Sequence, residues 1–179
     1  MVEIQNPLPR EQGSFPVKCD GNNPEELMEA GKYDWVADYS RQIIHAKAAS
    51  VVNETEAEIV LLGSLPQREH SNLQWSVSMS PDINLEGVSG KHDRPNVWDV
   101  LRFGALYPDE QRKADLIFPH EPWNGSHGQA FVLVLRTDPS GARGLSYVTH
   151  SGTLLGNWCP WPLVAVRRRR GGPPLSVVS

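Results

Sequence analysis

The sequence predicts an α+β domain: a mainly antiparallel sheet of about five to seven strands, packed by an N-terminal helix and short helices. Three observations point there. Apolar residues recur at helical spacing only in the first third of the chain. Alternating or continuous apolar runs follow, broken by turn residues. Strands never alternate regularly with long helices, which excludes a doubly wound parallel sheet.

The first 22 residues carry Pro7, Pro9, Pro16, Gly13 and Gly21 and read as an extended arm. At Asn23-Pro24-Glu25-Glu26 the signals change together. Asn23 can accept a backbone N–H as N-cap, and Pro24 lacks the N–H that the first helical turn would leave unpaired. Glu25 and Glu26 complement the positive end of the helix dipole. Gly31 should interrupt this helix, with a second run from about Tyr33 to Ala49. Trp35, Tyr39 and Ile43, with Val36 and Ile44 beside them, then form its core-facing stripe.

After Asn53 the period becomes extended. Ile59 to Leu62 form an apolar strand stopped by Gly63-Ser64-Leu65-Pro66. Leu73, Trp75, Val77 and Met79 alternate with polar residues, as a half-buried strand does, and Ile83 to Val88 should continue the sheet. Asn96 can cap a short helix ended by Gly104, and Pro108-Asp109-Glu110 starts another, running to about Ile117. Phe118 to Gly128 reads as a loop. Ala130–Leu135 and Leu145–Thr149 read as a hairpin about Asp138-Pro139-Ser140-Gly141. Pro160 and Pro162 should confine the last strand, Leu163 to Val166, to a sheet edge, where a missing donor is tolerated. The expected organisation is therefore an arm over 1–22, one domain over 23–166 and a basic, flexible tail over 167–179.

The 179 residues hold 17 Lys and Arg against 21 Asp and Glu, for a net charge of -4. The distribution is polarised. Through Pro66, eleven acidic residues face five basic ones; from Pro122 onward, Asp138 is the only acid against six arginines. Arg167-Arg168-Arg169-Arg170 supply four of these, so an anionic partner or a nucleic-acid backbone would meet the tail first. No stacking aromatics interleave with the run, so base reading is not indicated. Two cysteines, Cys19 and Cys159, are too few for a disulfide scaffold, and no basic-then-apolar leader is visible. A reducing, cytoplasmic setting is the expectation, and no membrane partner is expected because no apolar run approaches the ~20 residues of a span.

Two surfaces could carry function. Pro119 to Gly128 concentrates His120, Glu121, Trp123 and His127 in the expected loop. With His150, these offer an acid–base pair or a divalent metal site, and hence a small hydrolase or lyase. No other cofactor is evident. Trp123, Trp158 and Trp161 lie in turn-rich sequence and suit a binding surface, since one indole buries a large area at little entropic cost. Complete catalytic motifs are missing: there is no P-loop, G-x-G-x-x-G, C-x-x-C, H-E-x-x-H or paired H-x-[ST]. Asn124-Gly125-Ser126-His127-Gly128 departs from a nucleophile elbow at its first position and precedes a strand, not a helix. Cys159 precedes Pro160, with no helix N-terminus to stabilise a thiolate. The expected function is an intracellular binding or regulatory module for a protein or anionic ligand, using the Trp/His-rich loop and the arginine tail. The expectation depends on the Phe118–Gly128 and Trp158–Trp161 segments meeting at one rim of the sheet.

Overall fold

A computed structural model of the chain describes residues 11–18, 23–51, 53, 56–62, 92–125, 128–149 and 163–167. Seven strands and four helices occur among them: β1 (Glu11–Lys18), α1 (Pro24–Ala30), β2 (Trp35–Val36), α2 (Asp38–Ala48), β3 (Glu56–Leu62), α3 (Val97–Leu106), α4 (Glu110–Lys113), β4 (Leu116–Asn124), β5 (Ala130–Thr137), β6 (Arg143–Thr149) and β7 (Leu163–Arg167). The α+β class holds. The strands lie in the order β1-β3-β7-β4-β5-β6-β2.

The sheet departs from the broad antiparallel one expected. It consists of two antiparallel ladders, β1-β3-β7 and β4-β5-β6, joined by one parallel bridge between Ile117 and Leu163. The two-residue β2 adds to β6, also in parallel. The position of β7 is a second correction: it lies between β3 and β4 instead of at an edge. Pro160 and Pro162 precede Leu163, so neither occupies the ladder, and Val164 and Val166 are fully buried. Among the described strands the edges are β2 and β1, the latter in the stretch read as an arm. Its Pro16 lacks a donor, and the Pro16 carbonyl accepts from the Tyr107 hydroxyl.

α1 forms as its sequence dictates. Asn23 accepts from the Glu25 amide at 3.0 Å, and Gly31 closes the helix on the Leu27 carbonyl at 3.0 Å. The second helix starts later than expected. The Asp34 amide donates to the Arg143 carbonyl at 2.8 Å and the Ala37 amide to that of Leu145 at 3.0 Å, so β6 claims this backbone first. Trp35 lies against Gly144, where a Cβ would collide with the indole, and α2 begins only at Asp38. Ile43 and Ile44 are buried as the stripe predicts, but Trp35 and Tyr39 each remain 36 % exposed.

α3 carries a full capping box between Asn96 and Asp99, and it runs through Gly104 to Leu106. The glycine serves proximity: a Cβ there would overlap the Tyr33 hydroxyl. α4 is only a single turn, and the chain is already extended at Leu116. α3 packs between α1, α2 and the sheet, over Phe118, Leu133, Leu135 and Val166. Val60, Leu62, Ile117, Val132 and Val134 alternate with that face and are also buried, which explains the unbroken apolar run of β5. The strands expected at Leu73–Met79 and Ile83–Val88 lie outside the described residues.

Candidate functional site

Phe118 to Asn124 is strand, not loop, and this changes what His120 can do. Between the Phe118↔Leu133 and Trp123↔Phe131 pairs, β4 carries residues 119–122 where β5 carries Val132 alone. Pro119 and Pro122 have no donors for a ladder there, so the strand bulges. His120 fills the gap. Its Nε2 accepts the Leu133 backbone N–H at 3.0 Å, and its Nδ1 lies 2.7 Å from the Glu121 carbonyl, to which it donates. The ring is 2 % exposed. Burial is the main force pushing its pKa down, to about 4. The Glu121 carbonyl opposes that fall, while the nearby Lys47 and Arg94 charges reinforce it.

A neutral imidazole bonded through both nitrogens has no lone pair left for a metal or a substrate proton. His120 therefore serves the sheet, whereas the sequence had suggested a reacting loop. Glu121 points the other way: its carboxylate is 76 % exposed and lies 3.7 Å from Lys47 Nζ. His127 and His150 lie outside the described residues. Among the described residues, no group of three or more His, Cys, Asp or Glu stands where it could hold a metal ion.

Trp123 belongs to an aromatic cluster with Tyr39, Phe131 and Tyr147. Tyr39 is central, with ring centroids 6.0 Å from Trp123, 5.6 Å from Phe131 and 5.4 Å from Tyr147. The sequence explains the grouping. Tyr39, Ile43 and Lys47 recur at four-residue spacing along α2, and the end of β4 runs beside them, with Trp123 at Tyr39 and Glu121 at Lys47. The rings fill one another's space, so the cluster is a surface platform and not an open cage. Arg41 and His45, also on α2, both engage Glu25, at 3.0 and 2.8 Å.

β7 runs beside β4. β4 and β7 run parallel through Ile117↔Leu163, so Asn124, next to Trp123, and Arg167 end their strands at the same end of the sheet. Trp158 and Trp161, outside the described residues, precede Leu163. β7 begins beside Ile117, and because of the bulge Ile117 and Trp123 lie opposite Val134 and Phe131, three residues of β5 or about 10 Å apart. From there β7 runs toward the Trp123 end. Arg168, Arg169 and Arg170 are outside the described residues. Arg167 pairs in register with Glu58, and its neighbour Val166 exchanges two backbone bonds with Asp93, which puts Arg94 near this end.

Sequence reasoning missed the buried polar hub around Arg143. Its guanidinium donates to the Gly31 carbonyl at 2.8 Å, the Gly104 carbonyl at 3.0 Å and Gln111 Oε1 at 3.0 Å. Its backbone amide donates to Asp34, at 2.6 Å. α1, α3, α4 and β6 are thereby tied at one point. Tyr33 lies against the same group, its ring centroid 5.3 Å from the guanidinium carbon, and desolvation raises the pKa of its phenol. Nothing in a local window marks Arg143 as buried. Only the glycines at 31 and 104, whose carbonyls can be approached closely, hint at it. Comparison with known families, with curated proteins and with solved structures finds no match.

Proposed function

We propose that this chain is a cytoplasmic binding module that engages an acidic partner protein at the sheet end where β4 and β7 both terminate. The observation that carries this reading is the shared direction of those strands. It puts the Tyr39–Trp123 platform and the last residue of β7, from which the arginine run continues, at one end of the sheet. Lys47, which also pairs with Glu121 at 3.7 Å, and Arg94 bring cationic groups near this end, beside His120. An aromatic anchor flanked by cations suits an acidic segment bearing an apolar side chain: the ring supplies buried area, and the charges supply orientation and encounter rate. No described helix is long and apolar enough to cross a membrane.

The test is anisotropy titration of a labelled Asp/Glu-rich peptide carrying one Leu or Phe, with a DNA oligonucleotide of equal charge as comparator. Trp123→Ala should weaken peptide binding roughly tenfold or more, the loss typical of an aromatic anchor worth over 1 kcal/mol. Alanine at Arg168, Arg169 and Arg170 should flatten the salt dependence. Peptide affinity unchanged in both variants, or tighter binding of the oligonucleotide, overturns the reading.

A further inference from the structure

Asn124 and Gly125 form the only Asn-Gly dipeptide in the chain. Asn124 is the last residue of β4, is exposed, and pairs in register with Ala130. Its carboxamide makes no hydrogen bond among the described residues. Gly125 lacks a side chain for a packing reason: a Cβ there would press on the Phe131 ring. The same absence leaves the Asn124 side-chain carbonyl carbon open to the Gly125 nitrogen. The aromatic platform thus imposes a dipeptide with little steric protection against intramolecular attack.

The hairpin supplies protection of another kind. The Gly125 amide donates to the Gln129 carbonyl at 2.8 Å, and the Gly128 amide donates to the Gly125 carbonyl at 3.1 Å, with Gly128 at φ 72°. Attack on the side chain needs the Gly125 nitrogen to lose its proton, and that proton is engaged in the hydrogen bond closing the hairpin. The Trp123 and Phe131 rings, 6.0 Å apart, clamp the strands just inside it.

We infer that Asn124 is a deamidation site gated by the β4–β5 hairpin, silent while the Gly125–Gln129 hydrogen bond is closed and reactive when the hairpin end opens. In the reaction, the deprotonated Gly125 nitrogen forms a bond to Asn124 Cγ, and the Cγ–N bond of the carboxamide breaks. The leaving nitrogen takes up a proton and departs as ammonia, giving a cyclic succinimide. Water then opens the ring at either carbonyl, to aspartate or isoaspartate at position 124. One water is consumed, one ammonia is released, and no oxidant or reductant takes part. The product places a negative charge beside Trp123, and the isoaspartate form also inserts a methylene into the backbone at the end of β4.

The test is incubation of the full chain in mildly alkaline buffer, folded and in urea, beside a synthetic peptide spanning residues 120–132. Peptide mapping and isoaspartate detection read conversion at Asn124, and Asn124→Ser confirms the assignment. The urea-unfolded chain and the peptide should convert alike, and the folded chain roughly tenfold or more slowly, because reaction there requires breaking the Gly125–Gln129 hydrogen bond and the packing beside it. Trp123→Ala and the milder Phe131→Leu, both checked by circular dichroism, should speed conversion in the folded chain. Equal rates in the folded chain and the peptide overturn the inference, as does no conversion in either. A folded rate unmoved by Phe131→Leu, in a variant that retains its fold, overturns the gate.

Discussion

His120 Nε2 and the Leu133 backbone amide, 3.0 Å apart, make a hydrogen bond in which a side chain does the work of a missing strand carbonyl. The bond spans the bulge that Pro119 and Pro122 impose, so β4 stays attached to β5 where its backbone cannot pair. Protonation would turn the acceptor into a donor facing a donor. The burial that depresses the pKa and the bond that uses the lone pair thus require the same neutral ring.

Stability should therefore fall with acid in a defined window. The His120 pKa is about 4 in the fold, below the ordinary 6.5 that the unfolded chain would have, so the unfolded state binds the extra proton between those values. The contribution is complete above about pH 6.5 and is lost as pH falls through about 4, on the order of 3 kcal/mol in all. Urea unfolding across this range should show the slope, and His120→Gln should remove most of it. An unchanged slope in that variant would refute the assignment.

Removing the ring should also cost stability at neutral pH. His120→Ala leaves the Leu133 N–H buried without an acceptor, which costs about 1–3 kcal/mol in addition to the lost packing. Chemical denaturation measures it. The amide of Leu133 should also lose its protection from hydrogen exchange.

Tyr33 and Gly104 give a cleaner pair. Gly104→Ala would drive a methyl into the Tyr33 hydroxyl, an overpacking worth about 1–3 kcal/mol. That hydroxyl is buried without a partner, so Tyr33→Phe should be near neutral or slightly stabilising. Combining the two should recover part of the Gly104→Ala loss, the ring carbon Cζ still lying 2.9 Å from the added Cβ. Additive losses in the double-mutant cycle would refute the close contact.

Arg143→Lys tests whether the hub depends on guanidinium shape or on charge. An ammonium cannot span the Gly31 and Gly104 carbonyls and Gln111 at once, so the conservative change should cost about 3 kcal/mol or more. Thermal unfolding with equal midpoints for the two proteins would show that charge alone suffices.

Trp35 should report on β2. Gly144→Ala would push the indole off β6, loosening the two-residue strand while the β5–β6 pairing stays. The expected reading is a red-shifted tryptophan emission that is absent in Gly144→Ala/Trp35→Phe.

Local chemistry made much of this fold legible. Asn23-Pro24 and Asn96 announced two helix starts because a cap bonds amides only two or three residues away. The Asp138 turn was readable for the same reason, its carboxylate accepting from the Ser140 and Ala142 amides. Glycines misled where their role was long-range. Gly31 ends its helix, but Gly104 lies inside one because of a tyrosine 71 positions earlier in the chain. The prolines made Phe118 to Gly128 read as a loop, whereas they interrupt the ladder of a strand that a histidine bridges.

The sequence by itself determined the α+β class, the caps, the β5–β6 hairpin and the polarity of charge, all of which follow from short-range periodicity and hydrogen bonding. Tertiary structure decided the rest: β7 between β3 and β4, His120 as a buried acceptor, Arg143 as the point where four elements meet, and Trp123 against Tyr39. Each depends on which backbone groups remain unpaired after distant strands come together, and a burial of that kind leaves no mark on the residues beside it in the chain.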